Sequence, residues 1–356
     1  MNTEEEWISK APKVELHVHL DGAFDSSLLW ERAKEISTEE LPLEVETPWS
    51  GARLPVRKII TDSLGSLQEF EAAVSTTGRI GGLGQVLDCF ETFFPLVKGN
   101  RDLLGRLVLS FCESQKKQNI IYTEVRYAPH LICKEGTMLP DARSVVSAVT
   151  EVLGNWAKTN PGFLVNQILC CVNLQSELSD AVCALAVEHQ GDMGGVVGVD
   201  IACGEHHFSA EQAEAFERHR TALATAKKAG LGITVHAGES GSGQNVVRAL
   251  ETYGADRIGH GYNIVHDAAA LARCREEGER RPHLELCPTS AIACESVPHP
   301  EEGDGAAGWD RHVLAQMVRD DALSVSVSSD DPSVFSCTLA SDLSLLARAL
   351  ALPPAR

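Results

Sequence analysis

Ile233-Thr234-Val235-His236-Ala237-Gly238-Glu239 is a β-branched run that ends in a histidine, a glycine turn and a carboxylate. Such a run reads as a strand buried on both faces, and a parallel barrel presents whatever lies just beyond its C-terminal end to a ligand. Two further stretches have this form: Val14-Glu15-Leu16 leads into His17-Val18-His19, and Val325-Ser326-Val327 leads into Asp330-Asp331. A barrel gathers the C-terminal ends of distant strands at one mouth, so the three clusters could converge on a single metal ion. His17 and His19 are two residues apart and face the same side of a strand. With His236 and Asp330 they make a zinc-type donor set whose carboxylate leaves the ion net positive and able to acidify a bound water. Glu239 remains beside them as a proton-handling group. A nearby cation favours its ionised form, whereas burial under an apolar substrate would raise its pKa enough to give a proton. His260, in Gly259-His260-Gly261, is the next candidate, an imidazole able to hold an attacking hydroxide where glycines allow close approach.

Eight strand-like runs follow one another along the chain: Lys13–His19, Asn119–Tyr127, Phe163–Val172, Gly195–Asp200, Leu231–His236, Asp256–His260, His283–Cys287 and Ala322–Ser329. Their interiors are β-branched or Leu-rich with little alternation. Helical patterns lie between them, such as Glu211–Lys228 closed by Gly230 and Asn245–Thr252 closed by Gly254. This alternation predicts a (β/α)8 TIM barrel, read as one domain over residues 1–356. Roughly a hundred residues separate the first two runs, more than one crossover helix needs. The excess, about 24–118, is expected to form lid helices over the mouth. Leu83, Val86, Leu87 and Phe90 recur there at helical spacing, either as an amphipathic core helix or as an apolar lid over a flat substrate. Glu295–Trp309, rich in Pro, Gly and acids, reads as a surface loop.

Composition narrows the partners. The 356 residues carry 50 acidic against 31 basic side chains, a formal net charge of -19. Nucleic acid would be repelled over most of such an exterior, so a small neutral or cationic substrate is expected. No apolar run reaches the length of a membrane span, and the acidic start Met1-Asn2-Thr3-Glu4-Glu5-Glu6 lacks the order of a secretion signal. The eleven cysteines are odd in number and include no Cys-x-x-Cys pair. They read as reduced thiols of a cytoplasmic protein.

Several blocks together resemble the adenosine deaminases. Pro12-Lys13-Val14-Glu15-Leu16-His17-Val18-His19-Leu20-Asp21-Gly22 is similar to that family's opening strand. Glu124-Val125-Arg126-Tyr127-Ala128-Pro129-His130-Leu131, Thr234-Val235-His236-Ala237-Gly238-Glu239, Arg257-Ile258-Gly259-His260-Gly261-Tyr262 and Ser328-Ser329-Asp330-Asp331-Pro332 resemble later blocks in the same order. The resemblance runs from about Ala11 to Leu343. It implies zinc-dependent hydrolysis of adenosine and 2′-deoxyadenosine to the inosines and ammonia, with one Zn2+ held by His17, His19, His236 and Asp330. It further implies that Glu239 protonates purine N1, that His260 orients the attacking hydroxide, and that Asp331 meets purine N7 and helps position the nucleophile. Asp21 would contact the ribose 5′-hydroxyl, and Leu83, Val86, Leu87 and Phe90 would form an apolar gate.

The chemistry is self-consistent. Attack at C6 of an aromatic ring needs a strong nucleophile and an electron-poor ring, which activated water and a proton at N1 supply. The pattern of the other zinc deaminase fold, His-x-Glu with Pro-Cys-x-x-Cys, is absent. In four places the chain differs from the family's pattern. Cys203 stands where the family has a glycine whose N–H meets purine N3. No basic residue follows Cys171-Val172-Asn173-Leu174. The stretch from Leu41 to Leu83 is longer than usual. The chain ends at Arg356, with fewer C-terminal helices than the family carries, a shortened form. The expected protein is a monomer acting on a free purine nucleoside. The rivals are a deaminase of adenine or of an N6-modified adenosine nucleotide, and a catalytically impaired nucleoside-binding paralogue. Asp21 argues against a 5′-phosphate, because two anions would repel.

Overall fold

The computed structural model describes residues 3–76, 82–278, 281–298, 309 and 312–350. Eight strands form one sheet in chain order: β1 (Lys13–His19), β2 (Ile120–Tyr127), β3 (Leu164–Val172), β4 (Val196–Ala202), β5 (Gly232–Ala237), β6 (Arg257–His260), β7 (His283–Leu286) and β8 (Ser324–Val327). Every neighbouring pair is parallel. Each coincides with a run expected from sequence, with ends moved by no more than two residues. Along β3 every residue from Val165 to Val172 is buried, as a strand covered on both faces must be. Helix Ala213–Lys228 stops where expected, with Gly230 at φ +92° just past its end. Gly243–Arg248 continues into a wider turn, Ala249–Tyr253, closed by Gly254 at φ +68°.

The ring closes between its first and last strands through a single bridge, Val18 to Asp330. The His19 N–H donates to the Asp330 carbonyl at 2.8 Å, and the Asp330 N–H donates to the His17 carbonyl at 3.1 Å. Ser328 Oγ accepts from the His17 N–H at 3.1 Å. The buried Glu15 carboxylate grips the next residue, accepting from Ser329 N–H at 3.0 Å and Ser329 Oγ at 2.6 Å. Eight parallel strands, closed in this way and wrapped by helices, make the (β/α)8 TIM barrel.

The segment between β1 and β2 holds helices Ser26–Glu35, Val56–Asp62, Leu67–Val74, Leu83–Val97 and Arg101–Lys117. These are the extra helices expected there, and the segment also holds a short element that the sequence reading did not name. Val45–Glu46 pairs antiparallel with Arg53–Leu54 in a small hairpin. Its tip turns through Pro48 and Gly51 (φ +69°) and is tied to the Leu83–Val97 helix by Ser50 Oγ donating to Asp88. Most of the loop expected at Glu295–Trp309 lies outside the described residues.

Charge, as well as hydrocarbon, fills the barrel interior. Arg126 on β2 is fully buried. It donates to Asp200 on β4 at 2.8 Å, to Glu285 on β7 at 2.7 Å and to the Leu16 carbonyl on β1 at 2.6 Å. Arg257 on β6 reaches Glu285 at 2.6 Å and also pairs with Glu124. Burial alone would push the Glu285 carboxyl up, but Arg126 and Arg257 hold it well below its ordinary value. Removing one partner of such a network strands the remaining charges in a low-dielectric interior, at about 3–5 kcal/mol. Arg126→Met should therefore lower the thermal midpoint strongly, with Asp200 and Glu285 left facing each other; an unchanged midpoint in calorimetry would refute this role.

Candidate active site

The expected ligand residues meet at the C-terminal mouth of the barrel. Asp330 Oδ1 lies 3.3 Å from His17 Nε2 and 3.4 Å from His19 Nε2. His19 Nε2 is in turn 3.3 Å from His236 Nε2. A tetrahedral ion with bonds of about 2.0–2.1 Å has donor–donor edges of about 3.3–3.4 Å, so these spacings suit one metal ion. His17 Nε2 is buried without a hydrogen-bond partner, a cost that a metal would remove. His260 shares the neighbourhood: one ligand-capable group joins it with His17, His236 and Asp330, and another joins His19, Asp330 and Asp331.

The outward nitrogens of two histidines are fixed by carboxylates. His17 Nδ1 lies 2.9 Å from Glu285 Oε2, and His236 Nδ1 lies 3.0 Å from Asp200 Oδ2. Each carboxylate takes the Nδ1 proton, so both Nε2 lone pairs point at the shared centre. Because Arg126 binds both carboxylates, the barrel interior and the donor set are one connected network. The backbone at the mouth is strained to match. Cys203, His260 and Asp330 adopt φ +68°, +70° and +64°, left-handed values that non-glycine residues rarely take. Gly259 is required by clearance, since a Cβ there would stand 2.8 Å from His17 Cε1.

His260 Nδ1 is 3.1 Å from the Tyr262 hydroxyl, which accepts the Cys287 N–H at 2.9 Å and lies 3.2 Å from the Cys287 carbonyl. With the hydroxyl donating to that carbonyl, His260 carries its proton on Nδ1. Nε2 is then a free acceptor, 3.8 Å from both Glu239 Oε2 and Asp330 Oδ2. Burial holds this imidazole's pKa well below its ordinary value, so it is neutral at pH 7.

A cavity of about 680 Å3, counted to its mouth, opens above these groups. Leu83, Val86, Leu87 and Phe90 all line it, so the Leu83–Val97 helix roofs the cavity as well as packing on the core. Asp21, Cys203, Glu239 and Asp331 also face it, and no lysine or arginine does among the described residues. Asp21 Oδ1 and Asp331 Oδ1 are buried without protein partners. A Cβ on Gly22 would fall 1.8 Å from Asp331 Oδ1, so glycine there gives that carboxyl its place.

The cavity is a proton-retaining one. Burial, reinforced by Asp330, pushes Glu239 up to about 8. Burial also raises Asp21 to about 7, and burial together with Asp330 and Asp21 raises Asp331 well above the carboxylate range. Asp330 is the exception: burial opposes its charge, but His17, His260 and His19 outweigh burial and keep it ionised. Raised carboxyls bind protons in the folded chain that the unfolded chain has already lost, so their stabilisation fades as pH rises through their folded values. The thermal midpoint of the metal-free protein should fall between pH 7 and pH 8.5, and Glu239→Gln should flatten that fall; a rising midpoint would contradict these shifts.

Sequence reasoning missed several members of the site. Asp200, Glu285 and Arg126 were visible only as lone charges inside apolar strands, which is itself the signal. Glu205 and Asn263, whose side chains bind the loop bearing Glu239, gave no signal at all. Trp49, at the hairpin tip, lines the cavity and packs against the small buried cluster of Ala128, Cys170, Val172 and Ala202. Asp21 lies at that same end, its carboxyl accepting from the Ala128 N–H.

Comparison with known proteins agrees with this architecture. A family model described as adenosine deaminase matches residues 65–354. The adenosine deaminase of Bos taurus is 32% identical over 345 residues, covering 93% of this chain and 82% of that protein. That of Xenopus laevis is 31% identical, with 94% and 84% covered. Among solved structures, an N6-mAMP deaminase from Arabidopsis superposes with a TM-score of 0.74 at 23% identity, covering 98% of this chain and 90% of that one. An adenine deaminase from Arthrobacter aurescens gives 0.73 at 18% identity, covering 96% and 89%. The chain belongs to the adenosine deaminase family and is a hydrolytic deaminase.

Proposed function

We propose that this enzyme converts adenosine and 2′-deoxyadenosine, with water, to inosine and 2′-deoxyinosine plus ammonia. The observation that carries the proposal is Glu239 facing His260 in one cavity, their side chains 3.8 Å apart, beside a converging donor set, with burial raising the carboxyl to about 8 and lowering the imidazole. We assign His17, His19, His236 and Asp330 to one zinc ion per chain. When bound there, the ion supplies a Lewis acid that makes water nucleophilic near neutral pH. His260 Nε2, unprotonated, accepts a hydrogen bond from the attacking water and orients it. Glu239 gives its proton to purine N1, so the charge that builds on the ring during attack at C6 is neutralised. Asp331, whose carboxyl keeps its proton through burial and the neighbouring Asp330, donates to N7 through its unpartnered oxygen. Collapse of the tetrahedral carbon then breaks the C6–N bond and expels ammonia; of the attacking water's two protons, one completes the ammonia and the other reloads Glu239. Leu83, Val86, Leu87 and Phe90 cover the base and exclude bulk water, which keeps Glu239 protonated.

The rest of the substrate is read from the far end of the cavity. Asp21 offers an unpartnered carboxyl oxygen to a sugar hydroxyl. Cys203, which stands where the family has a glycine, sits at φ +68° and offers its N–H to purine N3. The solved neighbours include deaminases of N6-mAMP and of adenine, and these define the second reading. Two features favour the nucleoside. Among the described residues no lysine or arginine lines the cavity to receive a phosphate, and Asp21, raised to about 7 and so partly ionised at neutral pH, would oppose one. Free adenine would leave the Asp21 end unfilled. The proposal is completed by a single domain over 1–356, a monomeric state and a cytoplasmic location, supported by eleven cysteines free of disulfides and by the absence of any described helix able to cross a membrane.

Zinc-loaded protein should deaminate adenosine and 2′-deoxyadenosine far faster than adenine, AMP or N6-methyl-AMP, followed by the fall in absorbance near the adenosine maximum and by ammonia release. Faster turnover of AMP or its N6-methyl form would replace the nucleoside reading, and binding of adenosine without turnover would indicate an impaired paralogue. Glu239→Gln should retain zinc and lose about 10^2–10^4 of kcat, the scale of general acid catalysis; parent-like turnover would remove Glu239 from the proton role.

A further inference from the structure

We infer that Glu205 is a positioning residue for catalysis, its carboxylate acting as the mould on which the Gly238–Gly241 loop, and with it Glu239, is set. Glu205 follows β4 by three residues, directly after Cys203 and Gly204 in the cavity wall. Its Oε1 accepts from the N–H groups of Glu239 (2.9 Å), Ser240 (3.0 Å) and Gly241 (2.8 Å). Its Oε2 accepts from the Gly238 N–H (2.9 Å) and from Asn245 Nδ2 (2.8 Å). Four consecutive peptide N–H groups thus converge on one buried carboxylate, a concave anion seat built by the backbone of the loop. Charge-assisted bonds of this kind are stronger than neutral ones and fix direction as well as distance.

The carbonyl side of the same loop is held independently. Asn263 Nδ2 donates to the Glu239 carbonyl (3.0 Å) and the Gly241 carbonyl (2.8 Å), and the Asn263 N–H donates to the Gly238 carbonyl (2.9 Å). The four N–H groups of residues 238–241 and three of the loop's carbonyls are therefore satisfied by only two residues, one beyond β4 and one beyond β6. The fit leaves no slack: Gly238 sits at φ +67°, and a Cβ on Gly241 would fall 2.6 Å from Glu205 Oε2. Glu239 itself reaches into the cavity from the middle of this clamp. An ordinary turn needs no buried carboxylate to make it. A proton donor that must meet one ring nitrogen does need a backbone that cannot shift, because misplacement by about 1 Å costs roughly 10^2 in rate.

The inference rests on the reading that Glu239 delivers the proton to the ring. Glu205→Gln keeps the shape but turns one acceptor into a donor facing N–H donors. In zinc-loaded protein it should lower kcat on adenosine by about 10^2, with KM within about threefold and zinc content unchanged. Added to Glu239→Gln it should cost less than about twofold more, since residues acting as a unit are non-additive. Glu205→Asp, which keeps the charge and shortens the reach, should fall between parent and Gln variant. Parent-like kcat in both variants, or penalties that multiply in the double variant, would overturn the assignment. Amide hydrogen exchange separates this failure from failure of the substrate reading, because it needs no turnover. Exchange at residues 238–241 should accelerate in Glu205→Gln while β5 stays protected, and unchanged exchange would overturn the positioning role even in a protein inactive on adenosine.

Discussion

The backbone ladder between β1 and the residues after β8 is the constraint on which the rest depends. It is short, consisting of the Val18–Asp330 bridge and the two hydrogen bonds that flank it. Barrel closure therefore falls on the residues that carry the donors. His17, His19 and Asp330 cannot take their places unless the first strand meets the last, and the strands cannot meet there with another backbone at Asp330, whose left-handed φ turns the carboxylate inward. Fold closure and site assembly are one event.

From that seam the electrostatics run in layers. Arg126 and Arg257 lie deepest and hold Asp200 and Glu285 ionised. Those carboxylates take the Nδ1 protons of His236 and His17 and aim their Nε2 atoms upward. Above the histidines the surroundings change sign in effect: with no cation among the described residues of the cavity wall, Glu239, Asp21 and Asp331 all hold on to protons. Two carboxylates a single residue apart, Asp330 and Asp331, are thus driven in opposite directions. Asp330 faces three imidazoles, whereas Asp331 faces Asp330 and Asp21. One is made a permanent anion and the other a hydrogen-bonding acid, as divided roles require.

What was legible in the sequence follows from this layering. A strand buried on both faces, such as β3, writes itself as an apolar run, and the donors betrayed themselves by following the β-branched stretches of β1, β5 and β8, although β1 and β8 alternate polar with apolar residues. The lid stripe at Leu83, Val86, Leu87 and Phe90 was legible as a helix, but only the cavity showed that one helix both roofs the site and packs on the core. Arg126 and Glu285 pair across 159 residues, and Glu205 binds a loop more than thirty residues away; no local periodicity encodes such contacts. The hairpin bearing Trp49 was hidden for a different reason. Its strands are only two residues long, too short for any alternation to show.

The division between legible and illegible parts coincides with a division of labour. Groups that would act on C6 and N1 hang from strand ends, which the barrel fixes in common for every enzyme built this way. Groups that would select the remainder of the substrate come from the insertion and the loops: Trp49 from the hairpin, Leu83–Phe90 from the roof helix, Cys203 from the turn after β4. Loops tolerate change that strand ends do not. A relative could therefore accept a different purine by altering these walls while leaving the four donors, Glu239 and His260 untouched. For this chain the decisive wall is the Asp21 end. Asp21, Trp49, Ala128 and Cys203 line the cavity there, and among the described residues no lysine or arginine stands with them to draw in a phosphate.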